Sequence, residues 1–262
     1  MAKTYLVTLL TDFGSSDPYA GALLRECPYA RIVDIAHDIP PHDVLAAASV
    51  LAGAAPHFPP ETLHVVVVDP GVGTERNILA ARYAEQLFLF PDNGVITFVN
   101  ERLPLREIAT VTNTRYIPAG VSATFHGRDV FAPLAGHILN GLDIGALGPP
   151  PDTIKLLEVP EAERDDNGFI GQVIYVDHFG NLVTNISGES ARQQWEDLSL
   201  TRVLCAGRDI GPLRRTYADV ADGEPVALVN SAGMVEVAVN QGRAGDVLSA
   251  GVGTEVRVTG QS

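Results

Sequence analysis

The sequence predicts an α/β N-terminal domain, with a central sheet flanked by helices, followed by a smaller, mostly-β C-terminal domain. Three observations carry that expectation. In the first half, short β-rich runs alternate with helix-compatible stretches, the pattern of a sheet covered by helices. In the second half, short β-rich runs follow one another across turn residues with few helix signals, which describes a small sandwich or barrel. Between the halves the composition shifts: Gly148-Pro-Pro-Pro151 closes the first, and the acidic stretch Glu158 to Asn167 reads as a linker. Domains are therefore expected at residues 1–157 and 168–262, with 158–167 joining them. At 262 residues the chain exceeds one small module, and 46% apolar against 19% charged residues supplies enough burial to offset chain entropy throughout.

Taken in order, Tyr5 to Leu10 is a strand, and a helix begins at Asp17-Pro18, since a proline in the first turn sacrifices no helical hydrogen bond. Arg31 to Ile35 is a second strand. The Ala- and Leu-rich stretch Asp43 to Ala55 reads as a helix bounded by Pro40-Pro41 and Pro56. Leu63 to Val68 is a third strand, and because His64 to Val68 shows no polar alternation both of its faces should be buried. Asn77 to Ala84 and Gln86 to Phe90 are further strands, and Gly127 to Leu139 is a helix despite Pro133. Beyond the linker, strands are expected at Phe169 to Val176, Thr201 to Cys205, Pro225 to Asn230, Val235 to Val239 and Glu255 to Thr259. No fixed-period repeat occurs.

Eighteen basic and 32 acidic side chains leave a formal net charge of −14, a field that repels phosphate backbones and anionic lipid, so nucleic acid and membrane surfaces are poor partners. Cys27 and Cys205 are too far apart in sequence for a zinc knuckle or a CxxC redox pair, which fits a reducing compartment. The apolar stretch Leu6 to Leu10 is shorter than a signal-peptide core or a membrane span. A cytoplasmic protein is expected.

Polar residues gather after strands, where open α/β sheets place ligands. Thr11-Asp12-Phe-Gly-Ser-Ser-Asp17 follows the first strand; Asp12 suits a sugar diol or a metal, while Asp17 can simply cap the next helix. Asp69-Pro-Gly-Val-Gly-Thr-Glu-Arg76 follows the third; its GxG matches no nucleotide fingerprint, but Asp69 and Arg76 can meet across the loop, as site or as staple. His126, in Thr124-Phe-His-Gly-Arg-Asp129, can be a base or an orienter, or a loop histidine that is only hydrogen-bonded. Asp177-His178-Phe-Gly-Asn181, between two strands, is either an ordinary hairpin turn or an acid, an aromatic face and an amide turned to one ligand. Asn230-Ser231-Ala-Gly233 is again a common turn. HExxH, His-x-His and EF-hand spacings are all missing, so no metal is expected.

Together the segments LTDFGSSDPYAG, VVDPGVGTER, PDNG at Pro91 to Gly94, TFHGRD, DHFGNLVTNI and NSAGMVEVAVNQG resemble the S-adenosylmethionine (SAM) hydroxide adenosyltransferases, adenosine-forming SAM hydrolases related to fluorinase and chlorinase. The resemblance covers nearly the whole chain, in order. It implies a barrel-like C-terminal domain and a homotrimer whose sites lie between the N-terminal domain of one subunit and the C-terminal domain of its neighbour. It implies hydrolysis of SAM to adenosine and L-methionine, with SAM as substrate and no cofactor. The family's Asp-Arg-His set falls on Asp69, Arg76 and His126. Asp12 would hold the ribose hydroxyls, Asp177 the methionine ammonium, Phe179 and Asn181 the adenine, and Ser231 the methionine carboxylate. Two positions depart from the halogenating relatives, Ala232 where they carry arginine and His42 where an aromatic residue is common, and the fluorinase insertion after the third-strand loop has no room here. A chlorinase-type halogenase and a non-catalytic SAM- or adenosine-binding protein are the alternatives, and a binding protein would have no need of Asp69, Arg76 and His126. A metal-dependent hydrolase using Asp12, Asp69, His126 and Asp177 would betray itself by chelator sensitivity.

Overall fold

The computed structural model describes residues 5–15 and 17–260, without the Asp17 side chain, so the expected cap at Asp17 lies outside the described residues. The chain divides into two compact units between Leu157 and Glu158.

The first unit is built on a six-stranded sheet in the order β2-β1-β3-β5-β4-β6, formed by β1 (Tyr5–Thr11), β2 (Ala30–Ala36), β3 (Leu63–Val67), β4 (Ile78–Tyr83), β5 (Gln86–Pro91) and β6 (Leu105–Thr110). The first four in that order run parallel, and β4 turns back antiparallel to both β5 and β6. Central β3 is buried along its whole length, as its lack of polar alternation predicts. Val7, Leu9, Val65 and Leu89 share one core with Leu23 of α1 (Asp17–Glu26) and Leu134 of α4 (Ala132–Leu139). Alternate residues Leu10, Val66 and Phe88 are equally buried, so both sheet faces are covered, as the two-residue strand period demands. Helix α2 (Val44–Ala54) starts where the Asp43 carboxylate accepts the Ala46 N–H at 2.9 Å, and it packs on α3 (Thr97–Arg102). The expected helix from Gly127 splits into a wide π-type turn, Gly127–Phe131, followed by α4, with Pro133 in the first turn of α4 where its missing N–H is tolerated.

The second unit is a nine-stranded, nearly closed barrel-like sheet. Its strands are β7 (Glu163–Asp165), β8 (Gly168–Val176), β9 (Leu182–Ser187), β10 (Thr201–Cys205), β11 (Arg208–Gly211), β12 (Leu213–Arg214), β13 (Pro225–Val229), β14 (Met234–Val239) and β15 (Glu255–Gly260). Eight run β11-β10-β15-β8-β9-β14-β13-β12, and β7 pairs with β8. Two short helices, α5 (Gly188–Gln194) and α6 (Ala244–Leu248), join its core of Val173, Leu182, Val237 and Val258. Inside 158–167, the Asp165 carboxylate accepts the N–H groups of Asn167 and Gly168 and turns the chain into a β7–β8 hairpin. The acidic, exposed β7 is the kind of strand that a sheet edge tolerates. Cys27 and Cys205 are free thiols, each buried in the core of its own unit.

Candidate active site

Parallel neighbours β1 and β3 deliver Asp12 and Asp69 to the same end of the sheet, since Thr11 pairs with Val67 in their shared register. Asn93 holds the start of the second loop, its Nδ2 donating to the Val68 carbonyl at 2.8 Å. Across the loop Arg76 Nε donates to Asp69 Oδ2 at 2.7 Å and Arg76 Nη2 contacts the same oxygen, while the Gly71 N–H reaches Asp69 Oδ1 at 3.1 Å. Both side chains are buried, Arg76 to 7% exposure and Asp69 to 3%. The guanidinium then continues to a third residue: Nη2 lies 3.1 Å from His126 Nδ1.

That last bond fixes the histidine chemically. A guanidinium can only donate, so Nδ1 accepts, and the proton of the neutral ring sits on Nε2. Burial and the adjacent Arg76 charge both lower the His126 pKa below its ordinary 6.5, which keeps the ring neutral near pH 7. The arrangement is thus a carboxylate holding an arginine that holds a histidine, with the imidazole N–H as the free donor.

Two glycines allow the loops to approach. A Cβ on Gly73, whose φ is +78°, would stand 2.7 Å from the Ala123 carbonyl oxygen of the His126 loop. One on Gly127 would stand 2.8 Å from the Phe13 ring, which also meets Phe125 edge-on. The remaining charges of the TFHGRD segment do structural work: Arg128 donates to Asp129, holding its carboxyl down to about 2, and Asp129 accepts the Ser122 N–H. Asp12 is oriented by the backbone N–H of His42, 2.9 Å from Oδ2, from a residue held at φ +67°.

In the second unit, Asp177 and Asn181 close their turn on each other. Asp177 Oδ1 accepts the Asn181 N–H at 2.8 Å and Oδ2 its side-chain amide at 3.0 Å, around Gly180 at φ +85°. Phe179 is left 72% exposed at the tip. Phe179 and Asn181 line a pocket of about 500 Å³ together with Tyr217, Asn240 and Arg243. Ser231 is exposed on the turn before β14. Tyr217 and Arg243 carry no motif that sequence inspection singles out; only the aromatic ring at a polar turn hints at the first. Among the described residues no three His, Cys, Asp or Glu side chains gather to hold a metal ion.

Two sequence profiles match, the SAM hydroxide adenosyltransferase N-terminal domain over residues 7–148 and the C-terminal domain of the same family over 171–257. The chain belongs to the SAM hydroxide adenosyltransferase family. An (R)-S-adenosyl-L-methionine hydrolase of Salinispora tropica is 40% identical over 99% of both chains. One from Thermus thermophilus is 37% identical over 96% of this chain and 98% of its own. A fluorinase from an Actinoplanes species stands further off, at 28% identity over 90% of this chain and 91% of its own. Among solved structures, a conserved protein of Thermotoga maritima superimposes with a TM-score of 0.88 at 35% identity, over 97% of this chain and 99% of the other.

Proposed function

We propose that this chain hydrolyses S-adenosyl-L-methionine to adenosine and L-methionine. The observation that carries the proposal is the hydrogen-bonded Asp69–Arg76–His126 set, whose Asp–Arg pair is buried beyond what an exposed loop staple requires. The substrate brings its own leaving group. A hydroxide oxygen bonds to ribose C5′ while the C5′–S bond breaks and its electron pair returns the sulfonium to a neutral thioether. Water supplies the hydroxide and its proton leaves to solvent. The task of the protein is to hold the nucleophile in line and out of bulk water. With Nδ1 occupied by Arg76, His126 serves as a donor through Nε2–H beside a fixed cation, a setting that favours hydroxide over water. Asp69 holds the arginine.

Asp12 then takes the ribose hydroxyls, Asp177 the ammonium, Phe179 and Asn181 the adenine, and Ser231 the carboxylate. The chemistry supports these roles: carboxylates suit a diol and an ammonium, an amide suits a purine edge, and a hydroxyl on a turn suits a carboxylate. The two residue sets meet at the subunit interfaces of a cytoplasmic homotrimer. Hydrolysis is favoured over halogenation by the closer hydrolase relatives and by residues 68–77, which lead directly from β3 to β4. The relatives' name specifies the R form of the substrate, and we extend that preference to this chain. Purified protein incubated with each sulfonium epimer in chloride buffer, with chelator, should release adenosine and methionine from the R form. A 5′-chloro nucleoside as main product, or loss of activity with chelator, would overturn the assignment.

A further inference from the structure

The second unit buries a carboxylate that no role assigned above uses. Glu236, on β14 beside Val235, Val237 and Ala238, is only 3% exposed. Burial raises its pKa, hydrogen bonds from Asn230 and Tyr217 oppose the shift, and the charge of Asp177 adds to it. An aliphatic side chain would fill this place without losing hydration. What the carboxylate gains is two donors from separate segments: Tyr217 Oη donates to Oε1 at 2.8 Å, and Asn230 Nδ2 donates to Oε2 at 3.0 Å.

Both donors belong to segments to which the proposed function assigns the ligand. Tyr217 lines the pocket of Phe179 and Asn181. Asn230 builds the turn on which Ser231 stands: its Oδ1 accepts the N–H groups of Ala232 at 3.0 Å and Met234 at 3.1 Å, and its own N–H donates to the Met234 carbonyl at 2.9 Å. Neither segment is fixed by a regular strand, since Tyr217 sits in a single 3₁₀ turn and Ser231 in the β13–β14 connection.

We propose that Glu236 is a positioning residue: one oxygen holds the tyrosine wall of the pocket and the other holds the Ser231 turn, so the nucleoside end and the carboxylate end of one ligand are gripped at a set spacing. This rests on the SAM reading above and deepens it. The hydrogen bonds, rather than the negative charge, do the holding. A glutamine therefore substitutes: its carbonyl accepts from Asn230 while its amide donates to the Tyr217 hydroxyl, which can reverse its own role.

The test compares Glu236→Leu, Glu236→Gln and Tyr217→Phe with the wild type by SAM hydrolysis and melting temperature. Glu236→Leu should melt at or above the wild-type temperature, yet raise the KM for SAM by ~10-fold or more while kcat changes by less than ~3-fold. Glu236→Gln should recover most of the lost KM. Tyr217→Phe, which deletes one hydroxyl and leaves the core alone, should raise KM by a smaller factor and add nothing to Glu236→Leu; it decides the matter if the leucine variant does not fold. A wild-type KM in folded Glu236→Leu or in Tyr217→Phe, or a glutamine variant as impaired as the leucine one, overturns the proposal. A wild type inert towards SAM instead overturns the functional reading on which it rests.

Discussion

Replacing Arg76 with methionine separates chemistry from loop stapling. The substitution leaves the Asp69 carboxylate, 3% exposed, with the Gly71 N–H but without its cation. Breaking a buried ion pair from one side costs about 3–5 kcal/mol, because the surviving charge stays desolvated. For a protein of this size each kcal/mol moves the melting temperature by about 2–4 °C, so Arg76→Met should melt roughly 6–20 °C lower. Pairing it with Asp69→Asn removes the stranded charge, keeps an acceptor for Gly71, and should return stability to within about 1 kcal/mol of wild type. Turnover should not return: both variants lose the donor proposed to stand beside the nucleophile and should show kcat lower by about 10²-fold or more per folded molecule, with SAM affinity near wild type. Scanning calorimetry gives the first quantity, and chromatographic quantification of adenosine at saturating SAM, well below the melting range, gives the second. A double variant that regains both its melting temperature and wild-type kcat would reduce the pair to a staple and refute the mechanism.

Four further outcomes are expected. Because the folded-state pKa of His126 lies below the ordinary 6.5, a histidine acting as base would give a kcat independent of pH above 7, whereas hydroxide held by donors should make kcat climb through pH 7–9 by up to about tenfold per unit, which stopped-time assays at saturating SAM distinguish. The same depressed pKa means that the unfolded chain binds the extra proton first on acidification, so the His126 contribution to stability should decline as pH falls below about 6.5, visible in urea midpoints lost by the wild type but not by His126→Gln. Gly73→Ala, with its Cβ 2.7 Å from a backbone carbonyl at positive φ, should lower stability by about 1–3 kcal/mol and displace the His126 loop enough to reduce turnover. Chains carrying His126→Ala and chains carrying Asp177→Ala, mixed, dissociated and reassembled, should regain activity that neither has alone; no recovery in verified trimers would mean that each site uses a single chain.

The parts of the fold legible in sequence are those where one physical signal dominates. The valines of β3 could be buried on both faces only at the centre of a sheet, and the prolines around α2 left that helix no other extent. Strand β6 escaped because its first half is exposed and charged, so only its ladder with β4 makes it a strand. The same holds for β7 and the two-residue β12, which local composition does not distinguish from loops. For the site, residue type and loop context marked Asp69, Arg76 and His126 as candidates, and only the family resemblance joined them into one set. The bond between Arg76 and His126, fifty positions apart, is a product of the fold, and with it comes the tautomer that makes the histidine a donor. Glu236 had no signature at all and Tyr217 only that of a ring at a polar turn, since the aromatic residue and the acid acquire their significance from each other.

The boundary between Leu157 and Glu158 has a consequence for how such proteins can diversify. Each side of it has its own apolar core, and the three groups assigned to the nucleophile lie on one side while the pocket, the Asp177 turn and the Ser231 turn lie on the other. On the proposed assignment, what cuts is therefore inherited apart from most of what recognises, with Asp12 the one recognition group on the cutting side. On that assignment, remodelling the barrel's turns would change which sulfonium is accepted and leave the groups proposed for the nucleophile in place, whereas altering the loop after β3 would change the nucleophile and spare the contacts proposed for adenine, ammonium and carboxylate.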